Sequence, residues 1–269
     1  MHWLYGLPAA VLLVVALLLA GAAAGIGQGL VRRRFGTGVF AAHNEVGGVV
    51  FTVAGTLYAV ILGFMTVVAW QHFTEAREIV VSEANADIDA WHSAVGLPSA
   101  ARARVRGDML AYAKVMIDSE WPRMRRGRFD PAAAFIGMDA IDATGGLTPA
   151  NSGQANAQSA TGEQLRVMHD ARQRRIAIND SGISWFEWLV LIGGATCITG
   201  FCWLFGVAKA RVHLIMTSTV VAMVVSLLVL LFELQYPFRS DIGIGPEAWT
   251  GALAHLRQME AGSEPNMRM

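Results

Sequence analysis

No Asp, Glu, Lys or Arg occurs in residues 1–31, 46–74, 188–208 or 212–232, and Leu, Val, Ile, Ala and Phe dominate each stretch. A hydrocarbon core roughly 30 Å thick takes about 20 apolar residues of helix, and an ionised side chain at its centre is strongly disfavoured. Runs of this length without a charge are therefore read as membrane spans. The composition agrees, with 54% hydrophobic and 16% charged residues. The first run is expected to be a span rather than a cleaved leader: Leu7 to Ala24 is long for a leader core, and Arg32, Arg33 and Arg34 follow it instead of preceding it. Cys197 and Cys202 fall within the third run without metal or disulfide spacing, and are expected to be small apolar core residues.

The fold class that follows is all-α: an integral membrane protein with four transmembrane helices and a helical extramembrane bundle extending from the second span. Residues 1–72 form a hairpin of spans at about 7–30 and 46–72, and 185–232 a second hairpin with spans at about 186–208 and 212–232. Between them, 73–184 holds 13 of the 21 basic and 14 of the 21 acidic residues, a nearly neutral region. Phe73, Val80, Ala84, Ile88, Trp91 and Val95 recur at helical steps among Glu75, Arg77, Glu78, Glu83, Asp87 and Asp89, so the second span is expected to continue out of the membrane as one helix. A further helix is expected from Ser99 until Pro122 stops it, with Val105, Met109, Tyr112, Val115, Met116 and Ser119 inward. The Gly-, Thr-, Asn- and Ser-rich stretch 144–162 reads as a flexible loop, and about 163–180 as the last polar helix. The tail, 233–269, carries a Pro-Phe pair, one helix at about 246–260 and an end expected to be disordered.

Two stripes mark the second span. Gly55, Ala59 and Gly63 form a small-residue series suited to close helix packing, as do Gly21, Gly25 and Gly29 in the first span. About 100° around the helix, Thr52, Thr56, Val60 and Phe64 pass from hydroxyl to apolar to aromatic. Two readings of that stripe stand: a pore lining with a hydrophobic constriction at Val60 and Phe64, or ordinary packing in lipid. His43, Asn44 and Glu45 could bind metal or carry protons only with further converging ligands, so a helix cap at Asn44 with Glu45 in the first turn is expected, and no metal or cofactor site. The sequence contains no phosphate loop, dinucleotide fingerprint, HExxH or GxSxG, and an enzyme is not expected. Arg123, Arg125, Arg126 and Arg128 sit in a region with no net basic field, which argues against nucleic acid and for an exposed face or lipid phosphates.

The run LYAVILGFMTVVAWQHFTEAR with Leu62, Gly63, Phe64 and Trp70, the following Glu83-Ala84, the triplet Glu120-Trp121-Pro122, and Pro237-Phe238 after the fourth span resemble the bestrophin-like family of four-span membrane proteins, over about 40–250. That family is named for its similarity to bestrophins, pentameric anion channels with a hydrophobic neck on the second span. The resemblance implies a homo-oligomer passing small inorganic ions, with Phe64, Val60 and Thr56 as successive neck rings. It departs from bestrophins where Thr56 is polar, where no proline falls between Pro8 and Pro98, and where the acidic calcium cluster of animal bestrophins is reduced to Asp241 and Glu247. The alternative function is a non-conducting scaffold or envelope sensor whose bundle docks a partner. Arg32, Arg33, Arg34, Lys209 and Arg211 place the two short loops in the cytoplasm of an inner-membrane protein, while Arg172, Arg174 and Arg175 pull the other way and leave the side of 73–184 open.

Overall fold

The computed structural model describes residue 5, residues 7–36 and residues 38–263. The helices, in chain order, are α1 (Ala9–Phe35), α2 (Gly38–Ala41), α3 (Asn44–Ser93), α4 (Ser99–Val115), α5 (Trp121–Met124), α6 (Pro131–Gly145), α7 (Ser152–Asp180), α8 (Trp185–Trp203), α9 (Ala210–Leu234) and α10 (Glu247–Ser263). No strand occurs among the described residues. α1, α3, α8 and α9 are long and apolar enough to cross a membrane. α3 is one helix of 50 residues, about 75 Å long at 1.5 Å per residue. The chain divides into two compact units: one of Met1–His72, Gly182–Gln235 and Ser240–Ile242, the other of Phe73–Ser181, Tyr236–Arg239 and Gly243–Met269.

In the first unit, close approach is set by glycines other than those expected. A Cβ at Gly27 of α1 would overlap the Trp203 indole, and one at Gly194 of α8 would overlap the ring of Tyr58. Tyr58 lies across Gly194 and donates its hydroxyl to Leu191 O (3.1 Å), so one side chain closes α3 on α8 and satisfies its own polar atom. Phe51 adds ring contacts with Phe201 and Phe205 at 5.7 and 5.6 Å. Of the expected packing glycines, Gly25 meets Leu214 of α9 at 3.4 Å, whereas Gly21, Gly29, Gly55 and Gly63 have nothing within 4 Å of a Cβ. Those four pack against no other helix among the described residues.

The connection after α8 ends that helix at Trp203 instead of about 208, because its carbonyls are captured from outside. Arg32 donates to Val207 O and Ala208 O (2.8 and 2.6 Å), and Asn44 exchanges two hydrogen bonds with the backbone of Gly206. The Asn44 side chain is thus a loop clamp, not the expected cap. Cys202 is buried as expected, but Cys197 is exposed, since five residues of helix turn about 140° beyond a full turn.

The second unit has its own core of Trp249, Tyr112, Met109, Met116, Leu165 and Met168, all fully buried. α4 packs on α6 and α10, and α6 on α7. α10 supplies Trp249, Ala252 and Leu256 from one face, with Trp249 5.5 Å from the Tyr112 ring. Three expectations are corrected here. The stretch 144–162 is helical from Ser152, because Asn151 caps Gln154 N (2.9 Å) and Gln158 donates to Thr144 O and Leu147 O, closing the connection. Pro122 does not end its helix: a π turn at Met116–Glu120 changes the hydrogen-bond register ahead of it, and the chain runs on to Met124. Glu83 and Asp87, expected outside, are fully buried. The chain's end after 263, expected to be disordered, lies outside the described residues.

The fit of Tyr58 over Gly194 makes Gly194→Leu an overpacking substitution, which costs about 1–3 kcal/mol in a filled core. Its unfolding midpoint in detergent should fall below wild type, whereas Gly193→Leu, whose Cβ meets nothing, should match wild type. Equal midpoints for the two variants would remove the Tyr58 wedge from the account.

Candidate pore-lining face and buried ion-pair network

The first half of α3 buries Tyr58 and Leu62 and turns the opposite side outward. Thr52, Thr56, Val60 and Phe64 are all exposed in the single chain, Phe64 at 68% and Val60 at 50%. Gly63 and Ala59 are exposed next to them, so both stripes belong to one broad face that nothing else among the described residues covers. The threonine hydroxyls donate to their own helix, Thr52 to Gly48 O and Thr56 to Thr52 O, each at 2.8 Å. That leaves hydroxyl oxygens and backbone dipoles at one end of the stripe and a wholly apolar section at Val60 and Phe64.

The other motif residues gather in the second unit. Arg175 of α7, fully buried, donates from Nε to Glu83 Oε2 (2.6 Å) and from Nη2 to Glu83 Oε1 (3.1 Å) and Glu120 Oε1 (3.3 Å). Tyr112 of α4 donates to Glu83 Oε1 (2.7 Å). Arg172, one turn earlier on α7, donates to Glu120 Oε1 (3.1 Å) and to Asp130 O (2.9 Å), and Glu120 Oε2 accepts from Asp130 N (2.6 Å). Asp130 then caps α6 through Ala132 N (3.0 Å) while its carboxylate accepts from Ser119 and pairs with Arg123 at 2.7 Å. One chain of charge-assisted bonds thus ties α3, α4, the π turn, the start of α6, and α7.

Electrostatics follows the geometry. Burial opposes charge on Arg175, but the two oxygens of Glu83 outweigh it and hold the guanidinium more firmly protonated than usual. Burial, reinforced by Glu83, pushes the Tyr112 hydroxyl well above its ordinary value, so it stays a donor. The Ser119 hydroxyl and then the Ala132 N–H keep the Asp130 carboxyl below the usual range. Asp87, one turn from Glu83 and equally buried, has no hydrogen-bond partner for either oxygen among the described residues.

The two motif pairs meet beside this network. Trp121 packs edge-on against Phe238 with centroids 5.8 Å apart, and its Nε1 donates to Ile244 O (3.0 Å) while Pro237 O accepts from Ile244 N (2.7 Å). Pro122 is exposed next to buried Trp121, and Trp70 is exposed on α3. The expected site residues therefore separate: Leu62 is buried, Gly63, Phe64 and Trp70 face outward, and Glu83, Glu120, Trp121 and Phe238 form interior structure. Arg172 and Arg175, read from sequence as loop charges bearing on topology, are structural ions. Their signal was present, since Thr161, Leu165, Met168, Arg172, Arg175 and Asn179 keep a single four-three spacing on α7 and all are buried. No group of metal-binding side chains occurs among the described residues.

A family model described as a Bestrophin-like domain matches residues 9–249. No curated protein matches the chain. Among solved structures, two single-residue variants of a bacterial bestrophin homologue from Klebsiella pneumoniae are each 15% identical, cover 92% of this chain and 98% of their own, and superpose with TM-scores of 0.72 and 0.68. A variant described only as a membrane protein, 14% identical, gives 0.69 with the same coverage. At these identities the likeness is one of fold.

An interior ion network predicts asymmetric responses to substitution. Arg175→Met leaves Glu83 buried without its cation and Glu120 with Arg172 alone, and should cost about 3–5 kcal/mol. Asp87→Leu removes an unpaired buried carboxyl and should leave stability equal or higher. Chemical unfolding in detergent measures both; a strongly destabilised Asp87→Leu would mean that its carboxyl has a partner.

Proposed function

The chain belongs to the bestrophin-like family, and from that membership we propose that it assembles as a homo-oligomer whose second spans line a pathway for small inorganic ions, with anions as the permeant class. The observation that carries this reading is the face of α3 bearing Thr52, Thr56, Val60 and Phe64, which the described residues leave uncovered from Thr52 to Phe64. Within an oligomer of α3 helices this face turns to the axis, and the neighbouring Gly55, Ala59 and Gly63 admit the next subunit's helix closely. Val60 and Phe64 then make the narrow dry section, where an ion loses hydration without a replacing ligand, and Thr52 and Thr56 the wetter approach. Its activity is conduction and not catalysis. The protein resides in the inner membrane with the short loops around Arg32–Arg34 and Lys209–Arg211 on the cytoplasmic side; the bestrophin resemblance favours the reverse orientation.

Shortening the constriction should widen and wet it. Val60→Ala with Phe64→Ala is expected to raise ion flux in proteoliposomes above wild type, and Gly63→Leu to weaken the oligomer in detergent. A wild-type protein that is monomeric and passes no current in planar bilayers would refute the channel and favour a scaffold that docks a partner. Sidedness has a separate measurement: with Cys197 and Cys202 replaced by Ala, a membrane-impermeant thiol reagent should label Ser152→Cys from the periplasmic face of intact cells, and labelling only after lysis would reverse the assigned topology.

A further inference from the structure

We infer that the turn from Arg125 to Phe129 is a contact for the headgroups of anionic lipids. Arg125, Arg126 and Arg128 are exposed and form no salt bridge among the described residues, unlike Arg123, which is held by Asp130. Phe129 follows them at 56% exposure, and α6 continues the apolar surface with Pro131, Phe135 and Met138, all exposed, at helical spacing. Three unpaired guanidiniums joined to exposed aromatic surface match a membrane interface, where phosphates accept the charge and rings sit at headgroup depth. A soluble anion would gain nothing from Phe129 and Phe135.

The turn is built, not loose. Arg125 N, Arg126 N, Gly127 N and Arg128 N each donate to a backbone carbonyl of Trp121, Arg123 or Met124. Gly127 takes φ +69°, and the guanidinium of Arg239 lies 2.9 Å from where a Cβ would stand, a place open only to glycine. Arg239 is itself fixed, donating to Asn179 O and lying over the Tyr236 ring at 4.2 Å. The arginines are thereby presented on a hydrogen-bonded turn backed by Arg239.

The test uses the full-length protein without its native cysteines, carrying Phe129→Cys with a polarity-sensitive fluorophore, in vesicles of phosphatidylcholine with or without phosphatidylglycerol. Phosphatidylglycerol should shift the emission to the blue and reduce quenching by acrylamide, and high salt should reverse both. Adding Arg125→Gln, Arg126→Gln and Arg128→Gln should weaken the phosphatidylglycerol dependence by about five-fold for each arginine removed. A label at Glu163→Cys, on the exposed face of α7, should respond to neither lipid. The inference is overturned if the Phe129 label reads the same in both vesicles, if the triple substitution leaves its response intact, or if inorganic phosphate with phosphatidylcholine vesicles reproduces it, which would assign the arginines to a free anion.

Discussion

The buried pairing of Arg175 with Glu83 is the constraint on which the extramembrane unit depends. A guanidinium taken out of water is tolerated only if nearly all its donors are engaged, and here Glu83, Glu120 and two methionine sulfurs surround it. Glu83 in turn needs Tyr112, and Glu120 needs Arg172 and the backbone of Asp130. The partners are spread over α3, α4, the π turn, the start of α6 and α7. The network therefore fixes α3, α4, α7 and the entry to α6 at once, where apolar contacts alone would tolerate sliding.

The membrane unit solves the same problem differently. Lipid offers no hydrophobic drive between helices, so contact must come from shape and from polar atoms satisfied in pairs. Tyr58 over Gly194 with its hydroxyl on Leu191 O does both. A second chain of this kind runs from Trp188 through Gln235 to Tyr5, which stacks on Phe232 at 4.5 Å. On α3 itself the contacts use one side, where Tyr58 and Leu62 are buried. The other side carries glycines, alanine and the Thr52 to Phe64 stripe, which nothing else among the described residues covers, and the proposed pathway rests there.

The spans and the all-helical class were legible because lipid imposes a compositional rule that needs no tertiary knowledge: long apolar runs without charge. The same rule failed to say which glycines pack, since Gly55 and Gly27 look alike until a facing Trp203 is placed. In the polar region the spacing was readable and its chemistry was misread. Glu83 and Asp87 stand at interior positions of the series Ala76, Val80, Glu83, Asp87, Ala90 and Ala94, but charge assigned them outward because hydropathy cannot register a partner 92 residues away. Ser152–Thr161 was lost for the opposite reason: its small polar residues carry no hydrophobic period, and its helix depends on the Asn151 cap and on Gln158. Asn44 shows the same limit at a single residue, because cap and loop clamp demand the same side chain.

Buried charge also sets register in a way an apolar core does not. On α3 the acidic positions Glu83 and Asp87 are four apart, and on α7 the basic positions Arg172 and Arg175 are three apart, within stripes of otherwise apolar or small residues. Moving α7 by one residue would bring Arg174 or Ile176 to the place of Arg175 and leave Glu83 either poorly met or unpaired in a dry interior, a penalty of several kcal/mol. A slip by four residues would exchange Arg175 for Asn179 or Ala171, neither of which can neutralise two carboxylates, and a slip by three would put either Ile178 in the place of Arg175 or Arg172 there with His169 in the place of Arg172. Methionines at 109, 116, 124 and 168 fill the space around the ions and adapt to either arrangement, so packing alone would not reject the slip. Electrostatic completeness does reject it, and the single register that remains is the one in which Asp130 starts α6 and Trp121 meets Phe238.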